Sequence, residues 1–198
     1  MYLSKAFDVA ERDKLMEKLD QTNLHPNLKR WFLTYLKERK VQFRYQNGFS
    51  KWKKSDVGMP QGAVSSPLLY NHFSRDFKVE VAPADVNENF ADNNYAASVS
   101  SDLNVITETL NQAGAEMVEW VGENGMLISA PKSTVTLFTP WTKKVNAQLD
   151  FSIDNVPVPT EKNLRLLGVT LDPMCTFSSH AKIIAKKALS VEEGNGKA

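Results

Sequence analysis

Residues 102 to 124 constrain this chain more than any other stretch. Leu103, Ile106, Leu110, Met117, Trp120 and Val121 recur there at helical spacing, and Gly125 is placed to stop the helix. A long helix with one apolar face must lie across something apolar. The chain beyond it reads as strand: 126 to 129, 133 to 139, 148 to 158 around an Asp154-Asn155 turn, and 164 to 171. The chain before it is mixed. Residues 9 to 22 put Leu15, Met16 and Leu19 on one helical face, and Pro26 suits the start of a helix over 26 to 39. Val41, Phe43 and Tyr45 then alternate with polar residues, and Asn47-Gly48 turns a hairpin that returns through Phe49 and Trp52. The turn-rich "GMPQGAVSSP" (58 to 67) opens a helix through about Phe77, and "NFADNNYAAS" (89 to 98) reads as strand, tight turn, strand with Asp92 at the tip. A last helix starts near Ser179 and fades into "EEGNGKA". Helices and strands are mixed without βαβ alternation. The expected fold class is therefore α+β: an antiparallel sheet with the 9–22, 26–39 and 102–124 helices packed on one face.

Composition enters as a set of exclusions. A chain of 198 residues with 42% hydrophobic content can bury one good core or two small ones. The single cysteine, Cys175, excludes an internal disulfide framework and a cysteine metal cluster. No apolar run reaches the length of a membrane span, and Asp8, Glu11 and Asp13 argue against a targeting presequence. The expectation is an intracellular protein of undetermined compartment, with no membrane partner.

The net charge of +1 conceals a local bias. Lys29, Arg30, Lys37, Arg39, Lys40, Arg44, Lys51, Lys53 and Lys54 lie within one stretch whose only acid is Glu38. Trp31, Phe32, Tyr35, Phe43, Tyr45, Phe49 and Trp52 are interleaved with them. Cations beside rings suit a polyanion whose bases can stack. The candidate nucleic-acid residues are Lys29, Arg30, Arg39, Lys40, Arg44, Lys51, Trp52, Lys53 and Lys54. Helical spacing also fits Trp31, Phe32, Tyr35 and Leu36 to the core, and Trp52 either stacks on a base or anchors the hairpin.

Five phrases occur in a telling order: "LSKAFD" (3 to 8), "GMPQGAVSSPLLYN" (58 to 71), "FAD" (90 to 92), "SAPKSTVTLFTP" (129 to 140) and "LLGVTLD" (166 to 172). Together they resemble the reverse transcriptases of non-LTR (LINE-type) retrotransposons, over about residues 3 to 189. The resemblance implies a polymerase palm over 1–174 carrying the basic hairpin at about 40–54. It also implies the start of a thumb at 175–190, while the "EEGNGKA" end reads by its composition as a disordered tail over 191–198. The resemblance begins at the first palm strand, so the fingers are expected to be missing from this chain.

The same resemblance implies nucleotidyl transfer assisted by two metal ions about 3.5–4 Å apart. Carboxylates hold such ions: one four residues before an Ala-Phe pair, and two adjacent in an "ADD" turn. In this chain those positions are Tyr2, Asp92 and Asn93. A phenol and an amide are neutral at pH 7, so the spot carries about −1 where about −3 would be required. The expectation is a catalytic site surviving only as vestiges (Asp92, Asn93, Tyr2, Lys132), no metal or other cofactor, and a chain that is not an enzyme. Mg²⁺ belongs only to the polymerase alternative. Asp8 is expected to cap the helix after it.

Further matches carry plainer readings beside them. Phe7 matches the ring under the incoming sugar, or is a core phenylalanine. Gln61 and Gly62 match the loop supporting template and nucleotide, or Gln61 bonds its own turn. Lys132 matches a lysine near the leaving pyrophosphate, or is a surface lysine. Gly168 matches the turn that grips the primer end, and as a strand glycine it would permit close backbone approach. The function expected is a catalytically inactive, domesticated reverse-transcriptase-like domain, an RNA-binding or structural subunit of a ribonucleoprotein assembly. The alternatives are a fragment of an RNA-directed DNA polymerase from a non-LTR retrotransposon, and a protein-interaction module without nucleic-acid contact.

Overall fold

A short strand, β1 (Leu3–Ser4), turns at left-handed Lys5 (φ 53°) into the one-turn helix α1 (Ala6–Val9). In this computed structural model the described residues are 1–79, 84–90 and 93–195, without the side chains of 84–87, 89–90 and 191–195. The helix expected over 9–22 is interrupted at Ala10, whose carbonyl accepts instead from the Gly58 amide (2.9 Å). A new helix, α2 (Arg12–Asp20), then buries Arg12, Leu15 and Leu19. The third, α3 (Pro26–Leu36), is capped by His25, whose Nδ1 accepts from the Asn27 amide (3.2 Å). It stops short of residue 39.

The basic hairpin forms in two paired segments, but it turns at Gln46-Asn47 rather than at the expected Asn47-Gly48, with Gly48 opposite Tyr45. Its outer pair is β2 (Lys40–Val41) with β5 (Lys53–Lys54), and its inner pair is β3 (Arg44–Tyr45) with β4 (Gly48–Phe49). A fourth helix, α4 (Ser66–Phe73), comes after the 58–65 loop and ends before Phe77. Then β6 (Ala84–Phe90) and β7 (Asn93–Ser98) pair antiparallel, with Phe90 opposite Asn93. Asp92 lies outside the described residues.

The longest helix, α5 (Leu103–Glu123), starts where Asp102 Oδ1 accepts from the Asn104 amide (2.9 Å). It ends just before Gly125 at φ 68°. Next, β8 (Leu127–Ile128) returns to pair with β1. Two tight hairpins close the chain: β9 (Ser152–Ile153) with β10 (Val156–Pro157), and β11 (Leu164–Leu166) with β12 (Val169–Leu171). Both have two central residues at positive φ, Asp154-Asn155 (50°, 60°) and Leu167-Gly168 (46°, 89°), the twist that suits a two-residue turn. The last helix is α6 (Ser178–Asn195), and residues 196–198 of the expected tail lie outside the described residues.

Three expectations need correction. The single antiparallel sheet is, among the described residues, six separate two-stranded antiparallel ones. The strand expected at 133–139 forms only a parallel bridge, Val135 to Thr160. Its amides run to Pro159 and Pro173 carbonyls, and proline has no N–H with which to extend a ladder. The strand at 164–171 is a hairpin, and Gly168 has nothing within 4 Å of the position a Cβ would take. Its glycine therefore serves the backbone angle of the turn rather than close approach.

The helices also divide differently from the expectation. α2 packs on α3 and α4, while α5 lies across β6, β7, β8 and β9. A first core gathers Leu3, Leu15, Leu19, Leu36, Phe73 and Val121. A second gathers Val135, Leu137, Leu149, Phe151, Ile153 and Val158, with Leu103, Leu110 and Val118 packed against it.

Candidate functional site

The loop after the basic hairpin is fastened to α1. The Gly58 amide donates to Ala10, and the Met59 amide donates to the Phe7 carbonyl (2.6 Å). Gly58 sits at φ 76°, and a Cβ there would collide with the backbone carbonyl of Asp8. Phe7, half-buried, stacks on Tyr70 (centroids 4.5 Å apart, 27° between planes). Beside it lies a hollow of about 480 Å³ lined by Phe7, Gln61, Gly62, Ala63, Val64, Ser66 and Pro67. Phe7 thus shares one wall with Gln61 and Gly62, which lie far from it in sequence.

Gln61 Nε2 donates to Asp8 Oδ1 (2.6 Å). This contact corrects two expectations. Asp8 lies within α1 and does not cap the helix after it, whose N-cap position belongs to Glu11. Gln61 bonds the side chain of Asp8 across the loop rather than the backbone of its own turn. On the other side of the loop Ser66 Oγ donates to the Pro60 carbonyl (2.6 Å).

Tyr2, Asn93 and Lys132 meet at a second place. Tyr2 and Asn93 form an antiparallel bridge, the Asn94 amide donates to Met1 (2.9 Å), and the Tyr2 amide donates to Ser133 Oγ (3.1 Å). Lys132, exposed, holds its Nζ 4.9 Å from the centroid of the Tyr2 ring, a cation–π contact. Of the matched positions, Tyr2, Asn93 and Lys132 are neighbours here. Yet a phenol, an amide and an ammonium are a poor donor set for hard divalent cations, which take anionic oxygens. Among the described residues no group of three or more His, Cys, Asp or Glu gathers anywhere. Tyr2, Asn93 and Lys132 by themselves do not supply the anionic ligands of a pair of Mg²⁺ ions, and Asp92 lies outside the described residues.

The hairpin presents its rings to water. Phe43, Tyr45, Phe49 and Trp52 are each 61–64% exposed. Lys40 stands directly opposite Lys54, an arrangement that repels by itself. Three of the candidate cations are engaged locally. Lys29 Nζ donates to the Asp20 carbonyl (2.6 Å), Arg39 lies over the Tyr35 ring (5.0 Å), and Lys54 pairs with Asp56 (2.8 Å). The hydrogen bond and charge of Asp56 hold the Lys54 pKa above the ordinary lysine value. Arg30, Lys40, Arg44, Lys51 and Lys53 are exposed. Trp31, expected in the core, is 51% exposed and stacks on Tyr35 (5.0 Å, 6°), while Leu36 alone of that helical set is fully buried.

Sequence reasoning missed Arg12. It is 8% exposed, and its guanidinium donates to the carbonyls of Leu36 (2.9 Å), Ser55, Val57 (2.9 Å) and Gly58 (2.6 Å) and to Ser55 Oγ (3.1 Å). The signal was present: Arg12 falls in step with Leu15 and Leu19 on the apolar face of α2.

Comparison with known proteins gives a consistent result. Residues 1–171 match the family model described as reverse transcriptase (RNA-dependent DNA polymerase). A probable RNA-directed DNA polymerase from transposon X-element of Drosophila melanogaster is 28% identical over 90% of this chain. The corresponding protein of transposon BS, from the same organism, is 26% identical over 93%, and that of mobile element jockey is 24% identical over 90%. The chain spans about a fifth of the length of these relatives (20–21%). Their names overturn the expectation that the chain is not an enzyme: all three are named as polymerases. Two neutral side chains at one spot do not carry so large a conclusion.

Proposed function

This chain belongs to the reverse transcriptase (RNA-dependent DNA polymerase) family, and from that premise we propose that it is the palm region of an RNA-directed DNA polymerase of the non-LTR retrotransposon type. The observation that carries the reading is the shared wall of Phe7, Gln61 and Gly62, built by the pairing of Met59 with Phe7. A stacked ring beside a polar loop suits a nucleotide: the ring excludes bulk at the sugar, and the loop supplies hydrogen bonds. The start of a thumb is assigned to α6. The partner is RNA, alone or as a ribonucleoprotein. It is held by the hairpin, where exposed rings alternate with Lys40, Arg44, Lys51 and Lys53. The metal ions that serve such a reaction find no anionic ligand in Tyr2 or Asn93, and the reading rests on the nucleotide and nucleic-acid contacts. Among the described residues no helix is long and apolar enough to cross a membrane.

Binding of a single-stranded RNA, followed by fluorescence anisotropy against salt, tests the hairpin. Affinity falls steeply with salt, with little preference for sequence, because each phosphate contact releases counterions. Changing Arg44, Lys51, Lys53 and Lys54 together to Gln weakens binding and flattens the slope of log K against log salt by up to about 3, at about 0.7 per lost single-strand contact. RNA binding equal to the parent's would defeat the assignment and favour a protein partner for the hairpin.

A further inference from the structure

Building on the nucleotide hollow just assigned, we propose that Asp8 is a positioning residue for that site: its carboxylate fixes the Gln61 amide beside Phe7. An ionised carboxylate only accepts, so the contact at 2.6 Å must be made by Gln61 Nε2. A glutamine amide has two nearly isosteric orientations, one presenting oxygen and the other nitrogen. Asp8 selects between them. With Nε2 committed to Asp8, the amide offers its carbonyl oxygen as the acceptor for a donor group on the nucleotide.

The anchor itself is rigid. The Asp8 amide donates to Lys5 (2.7 Å), and its carbonyl faces Gly58 too closely for a Cβ to stand there. Its neighbours Phe7 and Ala10 accept from Met59 and Gly58, so α1 and the start of the loop move as one piece. Gln61 lies beyond that backbone pairing, where the loop leaves α1. The Asp8–Gln61 bond extends the attachment to the rim of the hollow, by a side chain. Both residues are exposed, so water competes for the bond when no ligand is present. The contact therefore acts on ligand affinity far more than on folding.

The test uses the 198-residue chain with an RNA template, a DNA primer and a fluorescent 2′-deoxynucleoside triphosphate in Mg²⁺ buffer. The dissociation constant and the melting temperature are measured for the parent, Asp8→Ala, Asp8→Asn, Gln61→Ala and the double alanine variant. Asp8→Ala weakens nucleotide binding about fivefold, the worth of one ordinary hydrogen bond, at an unchanged melting temperature. Asp8→Asn keeps an acceptor oxygen and recovers most of the affinity. The double variant binds no more weakly than Gln61→Ala alone, because Asp8 acts only through Gln61. Parent affinity in Asp8→Ala, or additive losses in the double variant, overturns the positioning role and leaves the polymerase reading standing. A parent that binds no nucleotide removes both.

Discussion

Replacing Arg12 by Met keeps the apolar stem and deletes the charged head. In the parent that head serves four carbonyls and one hydroxyl, and it joins α2 to the end of α3 and to the segment leaving the hairpin. Burial lowers the Arg12 pKa, the charge of Arg39 lowers it further and Asp56 offsets part of the shift; the side chain stays charged at neutral pH all the same. The acceptors fare differently once it is gone. Ser55 is half-buried and Val57 exposed, so water can replace the guanidinium there. Leu36 and Gly58 are buried, and their carbonyls lose a partner that water replaces poorly. Each orphaned acceptor costs about 1–3 kcal/mol, and release of the desolvated cation returns part of that, leaving a net loss of about 3 kcal/mol. For a domain of this size that corresponds to a fall of about 6–12 °C in melting temperature. Thermal unfolding followed by circular dichroism reads the shift, and hydrogen exchange locates it: amides of residues 40–54 should lose protection before those of α5. Arg12→Lys should fall between, since an ammonium reaches fewer of the carbonyls. A melting temperature for Arg12→Met within about 2 °C of the parent would refute the accounting, because a side chain this connected cannot be neutral under it.

Gly58→Ala places a Cβ against the Asp8 carbonyl at φ 76°, so it should destabilise by about 2 kcal/mol or more and lower nucleotide affinity through the displaced loop. Urea unfolding measures the first effect, and parent-like stability would contradict the close approach of loop and helix. The pair Tyr2→Asp with Asn93→Asp adds two negative charges at the β-bridge and removes the ring over which Lys132 sits. Calorimetry should show Mg²⁺ binding more tightly than to the parent, and unchanged affinity would mean that this bridge is not where the metals belong.

Periodicity exposed the elements that packing alone decides. α5 is apolar at Ile106, Met117 and Val121, which are buried, and at Leu103 and Leu110, which pack on the second core. The Asp154-Asn155 turn was legible because both residues tolerate the left-handed angles it requires, whereas the hairpin that Asn47-Gly48 marked turns one residue earlier, at Gln46-Asn47. The illegible parts are contacts between distant segments. Nothing local at Ala10 announces that Gly58 will take its carbonyl and end a helix there. Whether Gln61 bonds its own turn or Asp8, 53 residues earlier, depends on how the loop lies on α1, a matter of tertiary placement. The strand expected at 133–139 failed because its partner positions hold Pro159 and Pro173, and pairing is a property of two segments. For the site, the positions of Phe7, Gln61, Gly62, Tyr2 and Asn93 came from ordered phrases, and their convergence is a fact of the fold.

The 21-residue helix α5 is about 31 Å long, and it serves both hydrophobic cores. Val121 closes the first from one end, while Leu103, Leu110 and Val118 lean on the second, and Gly114 lets Phe151 approach where a methyl group would crowd it. The two cores therefore share a wall, and neither half can be inherited alone. A recombination breakpoint between Ile128 and Ser152 would strand α5 with one flank bare, and the second cluster would lose the surface on which it assembles. Any rearrangement that keeps both cores must carry α5 together with the segments that build them, from β1 through Val158.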